Sequence, residues 1–149
     1  MDRNALRALI PDESRLRFGE DIAPEYLSDT LGRLRGKASA LVFVRSTEEV
    51  SAVMKYAYAR NIPVTPRGAG TNLVGSTVPL DGGIILDLSQ MNRVLELDAD
   101  TMTVTVEPGL LLQDLQAYVE ARGLFYPPDP GEKASSIGGN ISTNAGGMR

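Results

Sequence analysis

The sequence predicts an α/β fold, a βαβ-like first part followed by the start of a second, mixed or antiparallel part. Three observations carry this. Short β-branched apolar runs flank a segment of helical periodicity between residues 41 and 65. A glycine-rich loop then follows the second run directly and leads to a third, IILDL at 84–88. Two further short runs, 94–97 and 102–106, are separated by a turn-forming stretch, as in a hairpin.

Residues 1–40 are charged and weakly patterned and read as an arm or lead-in, with a short helix over 4–10 that Pro11 ends. The patterned domain is expected over 41–149. LVFV at 41–44 is its first strand, and Ser46 with Glu49 has the spacing of a capping box, so a helix starts there. Val50, Val53, Met54, Ala57 and Tyr58 are placed on its inner face, and Asn61 and Pro63 stop it. Residues 62–65 form the second strand. The Asp81-Gly82-Gly83 turn introduces the third. In the later pair, Met102, Val104 and Val106 alternate with threonines, as on a half-buried strand. Pro108-Gly109 opens a helix with Leu111, Leu115, Tyr118 and Val119 on one face and Gly123 at its end. The last stretch, from Pro127 on, carries few apolar residues beyond Ile137, Ile141 and Met148 and cannot build a core of its own. The chain therefore reads as a fragment whose fold continues beyond it.

Composition narrows the chemistry. At 149 residues, 42% hydrophobic and 23% charged, the chain is long enough for one cored domain. It contains no cysteine and no histidine, which excludes disulfides, thiolate nucleophiles, Cys/His zinc sites and Ser-His-Asp triads. A net charge of −4 without a basic stripe argues against a nucleic-acid surface. Neither a signal peptide nor a membrane-length apolar run is present in the sequence, which makes a cytoplasmic location the expectation.

PRGAGTNLVGS at 66–76 is the informative loop. Gly68, Gly70 and Gly75 remove side chains where a ligand could approach the backbone, and successive N–H groups in such a turn can form an anion-binding nest. The same glycines could instead simply make a wide turn. Each costs about 0.5–1 kcal/mol relative to alanine where ordinary backbone angles would serve, which favours a geometric or ligand requirement. The dinucleotide fingerprint fails at Leu73, and a phosphate loop starting at Gly70 fails at Ser76, where its lysine belongs. Both motifs also need a following helix, whereas Pro79 and the 81–83 turn lead to a strand. An anion here would be held by loop amides, Thr71, Asn72 and Ser76, with Arg67 the charge in reach or else a solvated surface arginine. A second constellation, SSIGGNISTNAGG at 135–147, interleaves glycines with Ser136, Asn140, Ser142, Thr143 and Asn144. It suits close contact with a polar ligand or flat ring, and by composition it also suits an exposed linker.

Taken together, STEEV, IPVTPRGAGTNLVGS, GGIILDLSQMNRVLELD, VEPG, YPPDPGEKASSIGGN and STNAGG resemble, in order and spacing, the FAD-linked oxidases of the vanillyl-alcohol oxidase and p-cresol methylhydroxylase superfamily. Within it the glycolate oxidase flavoprotein subunit and D-lactate dehydrogenase group is the nearest. The resemblance covers Leu41 to the end, with Tyr26 and Asp29 as a lead-in match. It implies an FAD-binding domain in which Arg67, Gly68, Ala69, Gly70, Thr71, Asn72, Gly75 and Ser76 wrap the pyrophosphate. Pro130, Ser136, Gly138, Gly139, Asn140 and Thr143 would lie along the flavin and ribityl chain. Ser76 departs from the family's common glycine and Arg45 from its common proline. The implied reaction moves a hydride from a small 2-hydroxy acid to FAD, with an electron-transfer partner subunit in some members. The substrate clamp and proton acceptor would lie in later parts of the enzyme, so no catalytic residue is assigned. FAD would be held noncovalently, since histidine and cysteine are absent, a tyrosine tether remaining formally open. Same-fold alternatives are an alkyldihydroxyacetonephosphate synthase or a cell-wall precursor reductase. The alternative of another class is a noncatalytic module, and the chain alone is expected to be inactive.

Overall fold

The computed structural model describes residues 1–147. Met148, counted above among the few apolar residues near the end, lies outside them. The elements run α1 (Arg3–Leu9), β1 (Leu16–Phe18), β2 (Ala40–Phe43), α2 (Thr47–Tyr58), β3 (Val64–Arg67), β4 (Ile84–Asp87), β5 (Val94–Asp98), β6 (Thr103–Val106), α3 (Leu112–Glu120) and α4 (Ile137–Ser142). A four-stranded sheet has the order β1-β2-β4-β3, with β2, β4 and β3 parallel and β1 antiparallel at the edge. β5 and β6 pair as an antiparallel ribbon. The fold is therefore mixed α/β, with the third sequence strand inserted between the first two.

Alternation along the central strands divides the core. Ala40, Val42, Ile84 and Leu86 face α1 and α2, while Leu41 and Ile85 face a smaller cluster with Ile22, Tyr26, Leu27 and Phe43. The first forty residues, expected as a lead-in, contribute Leu6, Ile10, Leu16 and Phe18 to the main core and pair β1 onto β2. Their weak patterning reflects short elements: a seven-residue helix and a three-residue strand offer too few repeats for a period to emerge.

α2 begins where the capping spacing indicates, with the Glu49 amide donating to Ser46 Oγ at 3.3 Å. The reciprocal half differs: Glu49 Oε2 accepts from the Arg45 amide at 2.8 Å, and both its carboxylate oxygens pair with Arg15, at 2.7 and 2.9 Å. Val53, Tyr56 and Ala57 form the buried face, whereas Met54 and Tyr58 are exposed, the latter by 87%. The inner face is turned from the expected one because Tyr56 is held by α1's start, its hydroxyl accepting from the Asp2 amide at 3.1 Å and donating to the Asp2 carbonyl at 3.2 Å.

Three boundaries also move. β3 starts at Val64, two residues later than expected. Met102 lies in the hairpin turn with φ 53° and is exposed, so it is not part of β6. α3 starts at Leu112 rather than at Pro108-Gly109, which forms a tight turn with the Gly109 amide on the Met91 carbonyl at 2.7 Å. The first amides of α3 donate outward, Leu112 to the Ser135 carbonyl at 2.8 Å and Gln113 to the Lys133 carbonyl at 3.1 Å. Those two bonds bring the glycine-rich 135–147 stretch back against the domain. A third apolar cluster forms there from Leu112, Leu115, Val119 and Ile137 under the β5–β6 ribbon.

Candidate functional site

Parallel neighbours need a long crossover, usually a helix. Between β3 and β4 the crossover is instead the coil 68–83, leaving the carboxyl end of β3, which is the edge where open α/β sheets bind ligands. Asn72 organises it. Its Oδ1 accepts from the Val74 and Ser76 amides at 3.3 and 3.1 Å, and its Nδ2 donates to Thr77 Oγ1 at 2.9 Å. With that side chain occupied in shaping the curl, the backbone N–H groups of Gly70, Thr71, Asn72 and Leu73 donate to no protein acceptor among the described residues. Four successive donors without a protein acceptor, at a turn where Gly70 has φ +74°, are the kind of groups that an anion-binding nest uses.

Facing this loop is Ser136, the N-cap of α4. Its Oγ accepts from the Gly139 amide at 3.3 Å and, across the cleft, from the Ala69 amide at 3.4 Å. The other early amides of α4 are consumed by the protein, Ile137 on Leu110 and Gly138 on Pro108, both at 2.8 Å. Thr143 Oγ1 donates back to the Gly139 carbonyl at 2.9 Å. The Asn140 carboxamide, by contrast, makes no hydrogen bond among the described residues and lines the cleft.

The two segments enclose a cleft of about 440 Å³. Arg67, Gly68, Ala69, Gly70, Thr71, Asn72, Ser76, Pro130, Ser136, Gly138, Gly139, Asn140 and Thr143 all line it. Gly75 does not: it is buried with φ +71° behind the loop, where a side chain would collide with Leu34. Thr77, Leu88, Pro108, Ser135 and Ala145 line the cleft as well and were not singled out from the sequence. Leu88 follows β4 and Pro108 lies in the turn before α3; both fall in stretches that carry the resemblance, GGIILDLSQMNRVLELD and VEPG, but neither has a polar group that marks it as a site residue. Pro108 packs so closely on α4 that a Cβ on Gly138 would lie 2.7 Å from Pro108 Cβ.

Arg67 is not a solvated cation. It is 9% exposed, with its guanidinium carbon 4.9 Å from the centre of the Tyr26 ring and beneath Gly70, whose added Cβ would lie 2.8 Å from Arg67 Nε. Gly70, at φ +74°, is thus required by backbone geometry and by the arginine below it as much as by any ligand. Asp87, 2% exposed, accepts from the Ser89 amide at 2.9 Å and from the Ser89 hydroxyl. Burial pushes its carboxyl above the usual range, opposed by the Ser89 hydrogen bonds and the charge of Arg67. Burial, then the charge of Asp87, likewise push the Tyr26 phenol up.

Residues 38–149 match the family model described as "FAD binding domain". The chain belongs to that family. This FAD-binding domain is 46% identical over 137 residues to a D-lactate dehydrogenase of Anaerostipes hadrus, covering 91% of the chain and 29% of that protein. It is 42% identical over 136 residues to the glycolate oxidase subunit GlcD of Bacillus subtilis, covering 91% of the chain and 27% of the relative. Among solved structures, p-cresol methylhydroxylase with substrate bound superposes with a TM-score of 0.77 at 25% identity, over 93% of this chain and 28% of that one. Alkyldihydroxyacetonephosphate synthase superposes at 0.84 over 99% of this chain and 30% of that one, at 23% identity, which shows a shared fold. These likenesses place the domain in the vanillyl-alcohol oxidase and p-cresol methylhydroxylase superfamily, with FAD as its cofactor. The chain spans less than a third of these relatives. Among the described residues no helix is long and apolar enough to cross a membrane, and no cluster of potential metal ligands is present.

The donor set suits FAD. Four unsatisfied amides match a diphosphate, while Ala69, Leu88, Pro108 and Pro130 give apolar walls beside Asn140, whose carboxamide can both donate and accept.

Proposed function

We propose that this domain is the FAD-holding part of a flavin-dependent 2-hydroxy-acid dehydrogenase or oxidase of the glycolate or D-lactate type. The observation that carries the reading is the cleft itself, an anion cradle at 70–73 facing a glycine-lined wall at 136–143, in a chain whose relatives include a D-lactate dehydrogenase and a glycolate oxidase subunit. Bound FAD supplies a two-electron acceptor for the hydride of the substrate's hydroxyl-bearing carbon. The amides of Gly70, Thr71, Asn72 and Leu73 hold the diphosphate, with Arg67, which lines the cleft beneath Gly70, contributing charge. Pro130, Gly138, Gly139, Asn140 and Thr143 flank the flavin and ribityl chain. Gly68, Ala69 and Ser136 keep the two walls in register, and Ser76 borders the loop side. Binding is noncovalent. The substrate, and any electron-accepting partner subunit, engage parts of the enzyme beyond these residues.

The test is the visible absorption spectrum of the purified chain, before and after incubation with FAD and desalting. A retained flavin spectrum supports the reading. A chain that stays colourless refutes the claim that these residues suffice to hold the cofactor. With glycolate or D-lactate and an artificial electron acceptor, the loaded chain should show no turnover.

A further inference from the structure

The family match begins at residue 38, yet three side chains upstream of it touch the anion loop. Tyr26 lies under Arg67, and its ring is itself fixed edge-on against Phe43, with centroids 6.0 Å apart and planes at 89°. Thr30 Oγ1 donates to the Gly70 carbonyl at 3.2 Å. Leu34 fills the space that a side chain on Gly75 would need. Asp29, only 5% exposed, closes the turn that presents the last two: its Oδ1 accepts from the Leu34 amide at 3.0 Å and its carbonyl from the Gly32 amide at 3.0 Å. The contacts fall at the start, the crest and the far end of the loop. Because the carbonyl and N–H of one trans peptide point in opposite directions, fixing the Gly70 carbonyl on Thr30 turns the Thr71 N–H away from Thr30.

We propose that residues 24–37 are a brace that sets the conformation of the diphosphate-binding loop, with Tyr26, Thr30 and Leu34 as positioning residues for the cofactor. The inference rests on the FAD reading above. Tyr26 acts through Arg67, Thr30 through the Gly70–Thr71 peptide, and Leu34 through the turn at Gly75. None of them lines the cleft.

The test uses the intact chain with Thr30→Val, Tyr26→Leu and Tyr26→Phe. Two quantities are read: FAD affinity by quenching of flavin fluorescence, and amide hydrogen exchange without ligand at Val74 and Ser76, whose N–H groups Asn72 Oδ1 holds. Thr30→Val removes one hydrogen bond at constant shape and should weaken FAD roughly three- to tenfold. It should also speed exchange at Val74 and Ser76 while leaving the melting temperature unchanged. Tyr26→Leu should weaken FAD at least as much, and Tyr26→Phe, which keeps the ring under Arg67, should bind as the wild type does. Wild-type affinity in Thr30→Val and Tyr26→Leu overturns the brace, whether or not exchange changes. So does failure of Tyr26→Phe to rescue. If the wild-type chain binds no FAD, the claim that these residues suffice to hold it falls and exchange at Val74 and Ser76 decides the brace: unchanged exchange in Thr30→Val and Tyr26→Leu overturns it.

Discussion

Ser136 Oγ and Gly68 make a coupled pair across the cleft, and a double-mutant cycle measures it. In Gly68→Ala the new Cβ would overlap Ser136 Oγ and stand 3.0 Å from Ser136 Cβ. The hydroxyl can rotate away only by giving up both its acceptor roles, the α4 cap on the Gly139 amide and the bond from Ala69. Loss of an N-cap costs about 1 kcal/mol. The 3.4 Å bond from Ala69 is long and adds roughly 0.5 kcal/mol, at the weak end for a neutral hydrogen bond. Ser136→Ala loses the same two bonds directly, so each single variant should be destabilised by about 1–2 kcal/mol. Gly68→Ala/Ser136→Ala should cost about the same as either alone, because the obstructing oxygen and the bonds it made are removed together. Urea unfolding of all four proteins reads this as a coupling of about 1 kcal/mol or more. Costs that add to within about 0.5 kcal/mol would refute the account, since uncoupled sites behave that way.

Asn140→Leu should leave stability unchanged or slightly raised, leucine being the better helix former, while weakening FAD about tenfold through the loss of two hydrogen-bonding groups; a fluorescence titration beside a melting curve separates the two effects. Glu49→Gln should destabilise the chain by about 2–3 kcal/mol at neutral pH by leaving Arg15, whose side chain is 8% exposed, without its bidentate partner. Hydrogen bonding from Arg15 is the main cause holding the Glu49 carboxyl below its usual range, against the opposing effect of burial. A depressed carboxyl contributes stability above its unfolded-state pKa and loses it as pH falls through the folded value. The gap between wild type and Glu49→Gln should therefore be full near pH 7 and close progressively below about pH 4.5, as chemical denaturation at a series of pH values would show.

Strands and caps with strong local signals were legible in the sequence: the β2 and β4 runs, the Ser46 cap and the hairpin all stand where the pattern puts them. What the sequence hid depends on distant partners. The face of α2 is chosen by Asp2 meeting Tyr56, and the start of α3 by carbonyls of residues 133 and 135, neither visible in a local window. α4 was missed because two glycines among six residues give it poor intrinsic propensity, so it stands on the Ser136 cap and on burial of Ile137. The segments lining the cleft could be named in advance since glycine and small polar residues marked them. The strut role of Arg67 could not, because it depends on Tyr26, forty-one residues earlier and in a stretch that reads as a lead-in.

The Ala69–Ser136 bond joins positions 67 residues apart, and the cradle faces its opposite wall only once that span has closed. Contacts of such separation form late, after the local β-α-β elements have condensed, because loop closure must precede any gain from them. The cleft should then be largely absent from the folding transition state. Ser136→Ala would speed unfolding and scarcely alter the refolding rate, and FAD, able to bind only the finished cleft, would protect the chain by slowing its unfolding rather than by hastening its assembly.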